Sequence, residues 1–126
     1  MMRAVQKRLA RLGWGALALV SVQLSCIGPQ APDAVICQDV AARLCRSAGC
    51  TAVAGRLPGS DCAALLVGQA GCGTPDYAFT SPERERVLSC RITLMRSEDD
   101  AVLQCQAAAD FLEACADVAA VYGVAP

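Results

Sequence analysis

Cysteine is the residue in this chain best suited to chemistry. Cys26, Cys37, Cys45, Cys50, Cys62, Cys72, Cys90, Cys105 and Cys115 are spread along 126 residues that contain no histidine. A thiol can serve as nucleophile, metal ligand, redox partner or half of a disulfide. Several of these roles fail at once. Without histidine there is no Ser-His or Cys-His nucleophile and no imidazole ligand. Zinc sites made of cysteine alone use paired short Cys-x2–4-Cys knuckles, and only Cys45-x4-Cys50 approaches that spacing. No Cys-x-x-Cys redox motif is present. Asp110, Glu113 and Asp117 recur at helical spacing, which reads as a solvated helix face rather than an acid–base pair. No glycine-rich phosphate loop follows a strand. The expectation is a non-catalytic chain without metal or cofactor. Eight cysteines follow Cys26, an even set that suggests four structural disulfides, and Cys26 is left over.

The elements that would deliver those cysteines to an oxidising compartment come first in the chain. Arg3, Lys7, Arg8 and Arg11 precede the apolar run Trp14 to Val20, the layout of a secretory signal over residues 1–25. Leu12 to Val22 is short against the ~20 residues needed to span a bilayer core. Beyond Cys26 the chain carries seven arginines, no lysine and all twelve carboxylates, a net charge of −5. An acidic domain whose aromatics are Tyr77, Phe79, Phe111 and Tyr122 offers neither the basic patch nor the stacking platform of a nucleic-acid binder.

The stretch Leu24-Ser25-Cys26 resembles the lipid-attachment signal of bacterial lipoproteins, although Gln23 stands where an apolar residue is usual. The resemblance implies diacylglycerol on the Cys26 thiol and cleavage just before it. It extends over the first 26 residues and implies no family for the rest. Acylation would consume the odd thiol, and two or three acyl chains at about 0.8 kcal/mol per buried CH₂ give stable anchoring. Residues 26–32 then read as the lipidated N-terminus and a short extended tether. Two alternatives stand beside this: cleavage after Gly28 or Ala31 to release the domain, or pairing of Cys26 between chains.

Residues 33–126 read as an all-α, small four-helix, disulfide-rich domain of two antiparallel helical hairpins. Asp33 is the expected cap of a helix to about Ser47, with Cys37, Val40, Ala41 and Leu44 at helical spacing. Ser60 or Asp61 opens a second helix to about Ala70, closed by Gly71-Cys72-Gly73. The third starts with Ser81 as N-cap and Pro82 at the first helical position, its apolar face being Leu88, Ile92 and Met95. The fourth begins Ser97-Glu98-Asp99-Asp100, with Val102, Cys105, Ala109, Leu112 and Ala116 along one stripe.

Eight cysteines allow 105 pairings, and antiparallel hairpins favour partners equidistant from the turn. Cys37 with Cys72 and Cys45 with Cys62 are both centred near residue 54. Cys90 with Cys105 is centred near Ser97, which leaves Cys50 for Cys115. The function read from these residues is a cell-envelope lipoprotein with a structural or protein-binding role. Its partners would be the membrane, through the lipid, and an envelope protein. Ile27 after the cysteine implies, within the resembled class, the outer membrane rather than the inner. The alternative is a released periplasmic or secreted helical protein that binds a small apolar ligand or inhibits another protein.

Overall fold

The computed structural model describes residues 27–96 and 99–124, so Cys26 and the expected signal lie outside the described residues. Five helices follow one another among the described residues: α1 Asp33–Cys45, α2 Cys62–Ala70, α3 Arg84–Met95, α4 Ala101–Ala114 and α5 Ala116–Val121. No strand occurs among the described residues, and a lone bridge joins Ala54 to Leu57. The domain is all-α and disulfide-rich, with one helix more than expected.

Helix α1 forms where the pattern places it, burying Ile36, Cys37, Val40, Ala41 and Leu44 along one side. Asp33 is its first helical residue and not its cap: Pro32 takes that place with no side-chain bond. α2 ends on Gly71, whose φ of 74° suits a residue without Cβ. α3 starts after Glu83, not after Ser81, and the Ser81–Pro82 peptide is cis. Its buried face is Val87, Cys90, Arg91 and Leu94, while Ile92 and Met95 are exposed. That face lies one residue, or about 100°, away from the Leu88-Ile92-Met95 stripe. The reason is that Cys90 and Arg91 have partners inside and Ile92 has none.

α4 begins later than the acidic run suggests. Asp100 is its N-cap, and the carboxylate accepts from the N–H groups of Val102 and Leu103 at 2.9 and 3.0 Å. Ser97, the expected cap, lies outside the described residues. The inward residues are Ala107, Ala108, Phe111 and Leu112, and Val102 from the expected stripe is 77% exposed. Asp100→Ala removes both cap bonds and is expected to cost about 1 kcal/mol of unfolding free energy, read by urea denaturation. At Cys115 (φ −121°, ψ 42°) the helix breaks, and α5 turns off to bury Val118 and Ala119.

The four disulfides are Cys37–Cys72, Cys45–Cys62, Cys50–Cys105 and Cys90–Cys115. The first two are the pair expected for the α1–α2 hairpin. The other two exchange partners relative to the expectation of Cys90–Cys105 and Cys50–Cys115. The cause is the register of α3 against α4. Arg86 meets Asp117 and Cys90 meets Cys115, so the hairpin is centred near residue 102 rather than near Ser97. The first turn and a half of α4 therefore overhangs the C-terminal end of α3 by roughly 9 Å at 1.5 Å per residue. That overhang carries Cys105 past α3, level with the turn after α1, where Cys50 waits. Ser47 Oγ donates to the Gln104 carbonyl at 3.3 Å beside the same bridge.

The core gathers around α1. Phe111, Leu112, Val118 and Tyr122 from the C-terminal helices meet Ile36, Val40 and Leu44, with Val53 from the loop. Tyr122 donates its hydroxyl to the Cys37 carbonyl at 2.9 Å. Burial, followed by the nearby Tyr77 and Asp39, pushes that phenol far above its ordinary titration range.

Candidate functional site

Seven arginines and no lysine follow Cys26, and two of those arginines, Arg84 and Arg91, stand seven residues apart on α3. Seven residues turn a helix by nearly two full turns, so both guanidinium groups lie within about 20° of one line along the helix. Against that line runs residues 27–32, the segment expected to be a loose tether. It is docked. Arg91 donates from Nη2 to the Ile27 carbonyl at 2.9 Å, and Arg84 donates from Nη2 to the carbonyls of Ala31, at 2.7 Å, and Pro29. The strap thus runs antiparallel to α3. A turn bond from Ala31 N–H to the Gly28 carbonyl, 3.1 Å, holds it compact.

Each clamping arginine is neutralised by an aspartate of α1. Arg91 is 3% exposed, and its Nε donates to Asp39 Oδ2 at 2.6 Å. Arg43, one turn further along α1, donates to the same oxygen at 2.8 Å. Arg84 pairs with Asp33, whose second oxygen accepts from the Phe79 N–H at 2.9 Å. This explains why Asp33 does not cap α1: its carboxylate is turned toward the α2–α3 loop. α1 and α3 run parallel, since Asp33 meets Arg84 and Asp39 meets Arg91. A planar guanidinium has five donors and can serve a carboxylate and a carbonyl together, which a lysine ammonium does less well.

Burial raises the Asp39 pKa, but the hydrogen bonds from Arg43 and Arg91, together with their charges, outweigh it and hold the group below its ordinary value. The carboxylate therefore binds protons less readily folded than unfolded. Its contribution to stability is complete above the unfolded value and is lost as pH falls through the lowered one. Melting temperatures of the protein and of Asp39→Asn are expected to differ most near pH 7. The gap should narrow progressively once the pH drops below about 4.

The other residues that the sequence singles out scatter. Cys26, the expected lipid-bearing residue, lies outside the described residues. Cys45 and Cys50 are each bonded to a different cysteine, so the nearest approach to a metal knuckle has no free thiolates. Asp110 and Glu113 are exposed on α4, whereas Asp117 belongs to α5. Asp117 accepts from Arg86 at 2.9 and 3.0 Å, which lowers its pKa. No cluster of three or more metal-ligating side chains occurs among the described residues. A hollow of about 370 Å³ is an open groove between Leu65, Gln69 and the Tyr122–Val124 end. Sequence reasoning misses the arginine clamp, although the i, i+7 arginines against a lysine-free background are a visible signal.

The fold and clamp together define a small disulfide-stapled helical domain with a docked N-terminal strap. No protein-family model matches the chain, and neither a curated protein nor a solved structure is significantly similar to it.

Proposed function

We propose that the chain is a bacterial envelope lipoprotein, exported, cleaved before Cys26 and acylated on its thiol, with a non-catalytic structural or protein-binding role. The observation that carries the reading is the closed set of disulfides: every cysteine after Cys26 is paired with another. The ninth is the one that follows a basic, apolar leader and Leu24-Ser25. Disulfides of this density fit an oxidising, exported setting. The acyl chains supply the anchor, and Ile27 after the cysteine favours the outer membrane. The domain then presents its helices to an envelope partner.

Growth of expressing cells with a clickable fatty acid tests this. The protein should take up label, and Cys26→Ser should lose it. A chain that stays unlabelled, or a Cys26→Ser variant that keeps its label, rules the reading out. An N-terminus mapped by mass spectrometry beyond Cys26 would instead indicate the released form.

A further inference from the structure

Acylated lipoproteins commonly hang from a flexible tether, and this chain has none after Ile27. The strap is pinned from its first described residue, because Arg91 holds the Ile27 carbonyl and Arg84 those of Pro29 and Ala31. A lipid on Cys26 would therefore sit one peptide bond from a rigid body. Since the strap runs antiparallel to α3, its Ile27 end is the one nearer the C-terminal end of α3.

The surface at that end differs from the rest. Six large hydrophobic side chains are exposed among the described residues, and five of them gather there: Ile27, Ile92, Met95, Val102 and Leu103. Met95 follows Arg91 by four residues, about 40° around the helix, so it flanks the strap. Val102 and Leu103 stand on the overhanging turn of α4, 77% and 49% exposed. The exposed arginines Arg46 and Arg96 flank the same end, together with exposed Asp61, Asp99, Asp100 and Asp110. The opposite end carries exposed Asp76, Glu83 and Glu85. Apolarity, though not net charge, is thus sorted along the long axis of the helices.

We propose that this end is a membrane-contact surface. Resting on the acylation reading above, the clamp holds Ile27, the residue that follows the acylated cysteine, at this end, so the domain lies against the bilayer in one orientation. Met95, Val102 and Leu103 enter the headgroup region. Amphipathic surfaces settle ~5–10 Å into the headgroup–acyl boundary through their apolar side chains.

Tryptophan depth measurement tests the orientation. In a Trp14→Phe background of the full chain, Met95→Trp and, separately, Ala78→Trp place a lone reporter at the strap end or the far end. Each protein is purified from membranes and reconstituted in vesicles of phosphatidylethanolamine and phosphatidylglycerol with brominated acyl chains. Met95→Trp should lose roughly half its emission and shift to the blue, as expected for a side chain at the headgroup–acyl boundary. Ala78→Trp should stay unquenched. Val102→Trp is a second reporter should Met95→Trp misfold, and absence of free thiol reports the four bridges. Intact mass on the same samples reads the acyl chains. An acylated protein without quenching at either strap-end reporter, or with equal quenching at Ala78→Trp, overturns the inference and leaves the anchor standing. Quenching confined to the strap end without acyl mass supports the contact surface and overturns the anchor. Absence of both overturns both.

Discussion

Replacing Cys50 and Cys105 together by alanine is expected to destabilise the domain by about 4 kcal/mol, the largest loss of any bridge. Cys50–Cys105 spans 55 residues and is the sole disulfide joining the α1–α2 hairpin to the C-terminal helices. Cross-linking a chain stabilises mainly by removing freedom from the unfolded state, and the effect grows with the loop closed. Cys37–Cys72 spans 35 residues, but Cys45–Cys62 already closes the same hairpin inside it. Removing Cys37 and Cys72 therefore frees an effective loop of only about 20 residues, worth ~3 kcal/mol. For a domain near 100 residues, 4 kcal/mol lowers the melting temperature by roughly 15–30 °C. Calorimetry of the two double variants checks the order. A smaller loss at Cys50 and Cys105 than at Cys37 and Cys72 would contradict the linkage.

Arg91→Met should come next, at about 3 kcal/mol, the scale for breaking a buried ion pair. Methionine keeps much of the packed stem and removes the charge. Asp39 is then left to Arg43 alone, and the Ile27 carbonyl loses its donor. The strap should loosen together with this loss. Hydrogen exchange at the Ala31 amide, which is bonded to Gly28, should accelerate more than exchange in α2. Arg91→Lys is expected to recover less than half, because one ammonium replaces separate donors aimed at a carboxylate and a carbonyl. In combination with Asp39→Asn the losses should fall short of additive, since both remove the same contact. Additive losses would show that the pair does not act as a unit.

How much of this is legible from residues alone depends on what signals each element. α1 is readable because Cys37, Val40, Ala41 and Leu44 repeat at helical period and all turn inward. The pairing within the first hairpin follows from its symmetry about the loop. α3 is located, but the pattern misjudges its inward face by one residue. A core position filled by Arg91 carries no hydrophobic signal, and its partner Asp39 lies 52 residues away. The second pair of bridges fails for a related reason. The later start of α4, at Asp100 rather than Ser97, accounts for only part of the shift; the overhang of its first turns past α3 supplies the rest and trades Cys105 for Cys115. The break at Cys115 is set by packing of Val118 and Ala119, which local propensity does not record. The strap is invisible because its contacts use main-chain carbonyls, which every sequence possesses.

The crossed order of the bridges also bears on how the protein matures. A chain that enters an oxidising compartment N-terminus first presents Cys45 and Cys62, then Cys37 and Cys72, as complete sets before any later cysteine arrives. Cys50 stays open throughout, and the first newcomer is Cys90, which belongs to Cys115. If an oxidant of that compartment joins Cys50 to Cys90 at this stage, the bridge is mismatched. The Cys105 thiolate can then displace Cys90 by exchange, and a second oxidation joins the freed Cys90 to Cys115. In a chain oxidised in that order the first half can close as it emerges, whereas the second half waits for Cys105 and Cys115.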